Sequence, residues 1–381
     1  MKIGINANYF QKPSTGIGVV TREFMRALAD RPEGRSHEWI WYYEGEVPAG
    51  QWPGNWRFEK VSTWWTRDDI PHRYLWERFS LPRAVRRDQC DTVFSLYQSV
   101  TRLPQSVHHV MLVHDLIPKR FPAYLGNWRQ RLYYHAIERS ICSADRIVTP
   151  SKATKHDVEQ YLSVPRKKVA VASLGIATAF QTPLAPADRD AVLKRYGLQP
   201  GYLYHGGGLE LRKNTEVLLR AYAALMSMLD RESLPLLVVS GTVYAETNPL
   251  ATPVHSLIAE LGLGDRVRLL GQVPETDLPA LYQGALVFIY PSRFEGFGLP
   301  VLEAFASGTP VITTAAGSLG ELAEGTAEIV AVDDVDGLAR AMQLVATDET
   351  VRAGLSARGR ERAQEYAWSR FADATVAALL Q

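Results

Sequence analysis

The chain has 381 residues, enough for two domains with substantial cores. It is 46% hydrophobic and 22% charged, which excludes a disordered or fibrous protein, and its net charge of +1 argues against a nucleic-acid binder. That average hides an asymmetry: residues 1–180 hold 26 Lys and Arg against 17 Asp and Glu (net +9), while residues 181–381 hold 16 against 24 (net −8).

Runs of strand character alternate with runs of helix character, as in doubly wound α/β domains with parallel sheets. In the first half the expected strands are 2–8, 38–43, 92–96, 110–114, 146–149 and 168–172. The expected helices are 18–29, 73–87, 124–143 and 151–161, the last opened by Ser151 as N-cap. The stretch 175–188 has little periodicity and contains Pro183 and Pro186, so the domain boundary is placed there, after residue 178. The second half repeats the pattern. Its expected strands are 202–206, 235–241, 266–271, 286–291, 310–314 and 328–332. Its expected helices are 214–228, 253–261, 275–283, 301–307, 336–345, 350–366 and 368–380.

The segment Pro291-Ser292-Arg293-Phe294-Glu295-Gly296-Phe297-Gly298-Leu299-Pro300-Val301-Leu302-Glu303-Ala304 follows one buried-strand run and precedes another. Its amides over 296–299 open a helix and are expected to face an anion. Pro300 fits the first turn, where a missing N–H costs nothing. Glu303 falls about one turn further in. A diphosphate would repel it, so its suitable partners are neutral hydroxyls, such as the vicinal diol of a ribose.

Glu295 and Glu303, seven residues apart within this phrase, resemble the signature of the family 4 retaining glycosyltransferases. The resemblance implies the GT-B fold: two Rossmann-like domains facing each other across a cleft. It assigns residues 1–178 to the acceptor side and 179–365 to the nucleotide-sugar side, with 366–381 crossing back to the first domain. It also implies a glycosyltransferase in which Glu295 faces the donor sugar and Glu303 holds the ribose. Gly296, Phe297, Gly298 and Leu299 bind the donor phosphates.

Other segments gain roles from the same resemblance. Gly206, Gly207 and Gly208 allow close backbone approach to phosphate, and Arg212 and Lys213 match the pair that stabilises the departing nucleoside diphosphate. Relatives often carry an arginine where this chain has Gly207, which puts more weight on Arg212. Gly16 and Gly18 belong to a loop expected to reach donor or acceptor. His114, at a strand end, matches histidines that contact a donor-sugar hydroxyl, with Asp115 either orienting that ring or stabilising the turn. Val273 lies in a loop whose main chain holds the base in relatives. Ser292 is expected either against the diphosphate or in turning its loop.

The sequence Asp334-Val335-Asp336 matches a metal-binding DxD only by letter and reads as a helix N-cap. With Arg212, Lys213 and helix amides to neutralise the leaving group, no metal or other cofactor is expected. Cys90 and Cys142 form no CxxC, which fits a reduced cytoplasmic setting. The N-terminus starts as a strand without signal-peptide character, and no apolar run approaches bilayer length. Between Trp64 and Arg139 aromatic and basic residues interleave. Most of these aromatics are expected in the core of an amphipathic helix pair, with a lipid interface at the inner membrane face or sugar stacking as the alternative.

The overall expectation is a hexosyltransferase acting on a glycan or polyprenyl-linked acceptor in bacterial surface-polysaccharide synthesis. The Gly-rich Arg-Lys-Asn segment and His-Asp-Leu-Ile-Pro are similar to bacterial mannosyl- and rhamnosyltransferases, which points to GDP-mannose as donor. A sugar-nucleotide epimerase and a non-catalytic sugar-nucleotide-binding subunit are the rivals.

Overall fold

Two all-parallel sheets organise the chain in its computed structural model, which describes residues 1–12, 15–65, 67, 69–230, 232–245 and 247–381. Met1–Gly175 and Ala367–Gln381 form one unit, and Ile176–Tyr366 forms the other. The boundary expected after residue 178 thus falls inside the second unit, where Thr178–Gln181 is a helix. Gly175 marks the true edge. A Cβ there would lie 2.1 Å from the Trp368 amide nitrogen, so the outgoing and returning chains touch backbone to backbone.

The first unit has seven strands: β1 (Lys2–Asn6), β2 (Glu38–Tyr43), β3 (Trp56–Lys60), β4 (Thr92–Ser95), β5 (His108–Leu112), β6 (Arg146–Thr149) and β7 (Val169–Val171). Their order is β3-β2-β1-β4-β5-β6-β7. The second unit has six: β8 (Tyr202–His205), β9 (Leu237–Ser240), β10 (Val267–Gly271), β11 (Ala285–Tyr290), β12 (Val311–Thr314) and β13 (Glu328–Val330), ordered β10-β9-β8-β11-β12-β13. Central strands are apolar along their length (β11 reads Ala-Leu-Val-Phe-Ile-Tyr) because helices cover both faces of such a sheet. In each unit the winding reverses once, between β1 and β4 and between β8 and β11. Ligands of open parallel sheets bind in the crevice beyond the strand ends at that reversal.

Three of the departures from expectation have a plain physical reason. β3 was not expected: its Trp-Arg-Phe-Glu-Lys alternation is that of a half-exposed edge strand, too short and too charged to stand out. The Pro186–Arg195 helix buries only Leu193 and so shows no apolar stripe. The long helix expected over 73–87 contains a π turn, Trp76–Ser80, between Ile70–Leu75 and Leu81–Asp88. Pro82 explains it. With no N–H to donate there, the Leu81 amide reaches back five residues to the Trp76 carbonyl.

The closing helix, Trp368–Leu379, is part of the first unit. Phe371 is fully buried against Phe24 of the Gly16–Ala29 helix with ring centroids 5.8 Å apart, and Asp373 pairs with Arg31 at 2.7 Å. Among the described residues no helix is long and apolar enough to cross a membrane.

Candidate active site

β8 and β11 are neighbours at the reversal point of the second unit, and both glycine-bearing motifs leave their carboxyl ends. His205 closes β8. It donates from Nδ1 to the Ile289 carbonyl at 2.9 Å, and its Nε2 lies 3.3 Å from the Thr215 hydroxyl. Burial lowers its pKa to about 4, so it is a neutral pin between the two strands. The chain then turns at Gly207 with φ +108°, closely covered by Gly241, where a Cβ would sit 2.1 Å from the Gly207 carbonyl oxygen. A single 3-10 turn, Leu211–Lys213, follows, and left-handed Asn214 opens the Thr215–Leu225 helix.

That turn is stitched to the loop leaving β11. The Arg293 amide donates to the Arg212 carbonyl at 2.9 Å, and the Asn214 side-chain amide donates to the Pro291 carbonyl at 3.1 Å. The result is a buried charge knot. Glu295 Oε1 lies 2.7 Å from Lys213 Nζ, from Arg212 Nη1 and from the Ser292 hydroxyl. Arg212 also donates to the Phe294 carbonyl at 2.7 Å, and Lys213 donates to the Tyr290 hydroxyl while lying 4.9 Å from that ring's centroid. The Glu295 main chain is held in turn: its carbonyl accepts from the Ser318 amide at 3.1 Å and the Ser318 hydroxyl at 3.0 Å.

Burial pushes the Glu295 carboxyl upward, but the Lys213 and Arg212 cations and the hydrogen bonds outweigh it and hold the pKa at about 2. Burial lowers the Lys213 pKa, and Glu295 opposes that shift. Glu210, 3.7 Å from Arg212, adds a second carboxylate. Two cations therefore face two carboxylates. The two cations expected to stabilise the leaving group both already face Glu295.

Beside the knot the Leu299–Ser307 helix begins at Gly298, whose φ of +103° admits little but glycine. Its Cβ would meet Leu319 Cδ2 at 2.8 Å. Among the described residues, the amides of Phe297, Gly298 and Leu299 have no protein acceptor. They form the helix start that an anion can use. The Phe297 ring itself is buried against Tyr366, 5.9 Å between centroids, so this residue offers only its backbone. Glu303 lies in the same helix and accepts from the Tyr282 hydroxyl at 2.9 Å. Burial raises its carboxyl to about 7, partly opposed by that hydrogen bond.

Several expectations are corrected. Ser292 is fully buried and its hydroxyl is committed to Glu295, which favours the loop-shaping alternative. Asp115 accepts the Ile117 amide at 3.0 Å, which makes it a turn residue. The His114 ring is fixed instead by donation from Nε2 to the Leu96 carbonyl at 2.9 Å, leaving Nδ1 as the acceptor, and burial lowers its pKa to about 4. Gly18 is buried with its amide given to the Thr15 N-cap hydroxyl at 3.1 Å, so it is not a free donor to phosphate. Gly16 is exposed at the first position of the same helix; Pro13 and Ser14 of that loop lie outside the described residues. Val273 is half-buried in the loop after β10. The expected N-cap stands: Asp334 caps the Val335–Thr347 helix by accepting from the Gly337 amide at 2.8 Å. Sequence reasoning missed Tyr290, Tyr282, Ser318 and Gly241. Each reaches the site from a strand end, a neighbouring helix or a separate loop, with no motif of its own.

Two doubly wound parallel-sheet units, with an anion-ready helix start and a buried Arg-Lys-Glu cluster at the strand reversal of the second, are the architecture of GT-B glycosyltransferases. The family model described as "Glycosyl transferases group 1" matches residues 196–362, and "Glycosyltransferase Family 4" matches residues 14–180. The chain is 32% identical over 268 residues to the O-antigen chain mannosyltransferase B of Escherichia coli, covering 70% of this chain and 68% of that one. It is 34% identical to the D-inositol 3-phosphate glycosyltransferase of Salinispora arenicola over 64% of this chain and 55% of that one, so it spans little more than half of that relative. The solved structure of sucrose-phosphate synthase from Thermosynechococcus elongatus matches with TM-score 0.77 at 21% identity, over 99% of this chain and 98% of that one. The chain belongs to the family 4 glycosyltransferases.

Proposed function

We propose that the protein moves a mannosyl group from GDP-mannose to a hydroxyl of a glycan or polyprenyl-linked acceptor in bacterial polysaccharide synthesis, with retention of configuration. The carrying observation is the buried Lys213–Glu295–Arg212 knot beside the unused amides over 297–299. In transfer, the bond from the anomeric carbon to the diphosphate oxygen breaks and its electron pair leaves with the phosphate. The acceptor oxygen bonds to the anomeric carbon from the same face, and its proton passes to the departing phosphate. Negative charge grows on the diphosphate while the sugar ring becomes cationic. Lys213, Arg212 and the helix start stabilise the first, and the ionised Glu295 favours the second. Because Glu295 fixes both cations beforehand, little reorganisation accompanies the step. The Glu303 carboxylate takes the ribose diol.

The mannosyl assignment draws on the similarity to O-antigen chain mannosyltransferase B. Incubation with GDP-mannose, UDP-glucose and other nucleotide sugars, with a soluble glycan acceptor and EDTA present, tests it. Turnover of GDP-mannose undiminished by EDTA is expected. Consumption of UDP-glucose alone rejects the mannosyl reading, and a rate restored only by a divalent ion rejects the metal-independent one.

A further inference from the structure

The first unit carries an open cavity of about 650 Å³ between the helical segment that starts at Ile70 and the Trp128–Ser143 helix. That is the size of a small-molecule site. Its floor is apolar and aromatic, formed by Tyr74, Leu75, Val100, Tyr133 and Ala136. Large apolar side chains stand at its rim: Trp64 is 77% exposed, Trp128 68% and Leu132 62%. The sequence reading assigned most of these aromatics to the core. That holds for Trp76, which is fully buried, but not for Trp64 and Trp128. An exposed apolar patch of this kind marks an interaction site.

Four arginines line the same cavity: Arg78, Arg102, Arg129 and Arg139. Among the described residues none of their guanidinium groups forms an ion pair or a hydrogen bond. Arg78 and Arg129 instead lie over neighbouring rings, Phe79 at 5.8 Å and Trp128 at 5.4 Å. Several other arginines of this unit are matched, as in Arg73 with Glu77, Arg87 with Glu59 and Arg120 with Asp157. The described lining includes no Asp, Glu, Asn or Gln side chain. A sugar needs such acceptors for its hydroxyls, so the cavity is poorly matched to a bare glycan. Cations around an apolar trough fit an anion with a hydrocarbon tail. A flat bilayer surface would meet the rim but leave the concave floor unfilled, so a single lipid molecule is the better occupant.

We propose that this cavity binds a single-chain lipid phosphate, with the chain in the aromatic trough and the phosphate on the arginines. The inference rests on the reading above that the acceptor is polyprenyl-linked, and it places the lipid end of that acceptor. Farnesyl phosphate, farnesol and inorganic phosphate, titrated separately into the full chain and followed by calorimetry and tryptophan fluorescence, provide the test. Farnesyl phosphate is expected to bind at least about tenfold more tightly than either half of itself. The double variant Arg102→Glu/Arg139→Glu and, independently, the trough-filling Ala136→Trp should each lose about tenfold, with melting temperature and GDP binding unchanged. Equal binding of inorganic phosphate would reduce the cavity to an anion patch, and equal binding of farnesol to an apolar one. Binding to phosphatidylglycerol vesicles without binding of farnesyl phosphate would make it a membrane surface contact. Each of these outcomes overturns the proposal. Transfer from GDP-mannose to a soluble glycan, persisting without farnesyl phosphate binding, removes the lipid site alone. Farnesyl phosphate binding in a protein that turns over no nucleotide sugar removes the functional reading and leaves the lipid site standing.

Discussion

Two clusters of positive charge, one in each unit, are held in opposite ways. In the second unit buried Arg212 and largely buried Lys213 are locked onto Glu295, whose pKa near 2 keeps it ionised at any physiological pH. In the first unit four arginines stand around an apolar cavity with no carboxylate partner among the described residues. On the two proposed readings, the difference separates two tasks. A group that stabilises a transition state gains by being fixed before the reaction starts, so that no dipole has to turn during it. A surface that recognises an arriving anion keeps its charge unspent, because a resident carboxylate would compete with the ligand.

The contrast is broken most directly at Lys213. Lys213→Ala removes the compact charge 2.7 Å from Glu295 and leaves that carboxylate with Arg212 alone. Turnover should fall by about 100-fold or more, as when an oxyanion-hole donor is lost, with the melting curve retained. Glu295→Ala should cost at least as much, since it frees both cations together. Wild-type kcat in both variants would remove the preorganised knot from the mechanism.

Gly298 tests whether the helix start is built as rigidly as the knot. Gly298→Ala forces a side chain into φ +103° and against Leu319. The expected loss is about 1–3 kcal/mol of stability, read by chemical denaturation. An unchanged denaturation midpoint would mean that this loop is free to relax.

Much of this site was legible because its chemistry is written in contiguous phrases. The run from Pro291 to Ala304 shows a strand end, glycines and a helix start in order, and Arg212-Lys213 follows a strand and three glycines. What stayed hidden was the support. Ser318 and Tyr282 act through contacts with residues 23 and 21 positions away in the chain, and a sequence read locally has no means to pair them. The direction of the Ser292 hydroxyl was equally hidden, because the phrase that contains it fits either a ligand or a loop contact. In the fold, buried central strands declared themselves by unbroken apolar runs. β3 and the Pro186–Arg195 helix did not, because each buries too little to impose a period.

Glu303 sharpens the comparison through pH. Its carboxyl, raised by burial to about 7, favours the protonated form in the folded protein without donor. Its contribution to stability is therefore fully present below the ordinary carboxylate value and is lost as pH rises through about 7. On the proposed reading donor binding has the opposite sign, because the ribose hydroxyls would donate to the ionised carboxylate. The donor KM should rise as pH falls below 7, by up to about tenfold per unit. Glu303→Gln should flatten that profile and leave kcat little changed. A slope that survives the substitution would assign the titration to another group.

The smallest expected effect lies in the first unit. Gly16 opens the Gly16–Ala29 helix with its backbone in an ordinary conformation, and a Cβ there would find nothing within 4 Å. Nothing in the described fold requires glycine, so Gly16→Ala should stabilise the chain by about 0.4–1 kcal/mol through the unfolded state. If the loop also approaches a phosphate, the same methyl group will raise the donor KM while the melting temperature rises. A higher melting temperature with unchanged KM would confine Gly16 to starting its helix. Phosphate handling would then fall to the second unit's Lys213, Arg212 and the 297–299 amides.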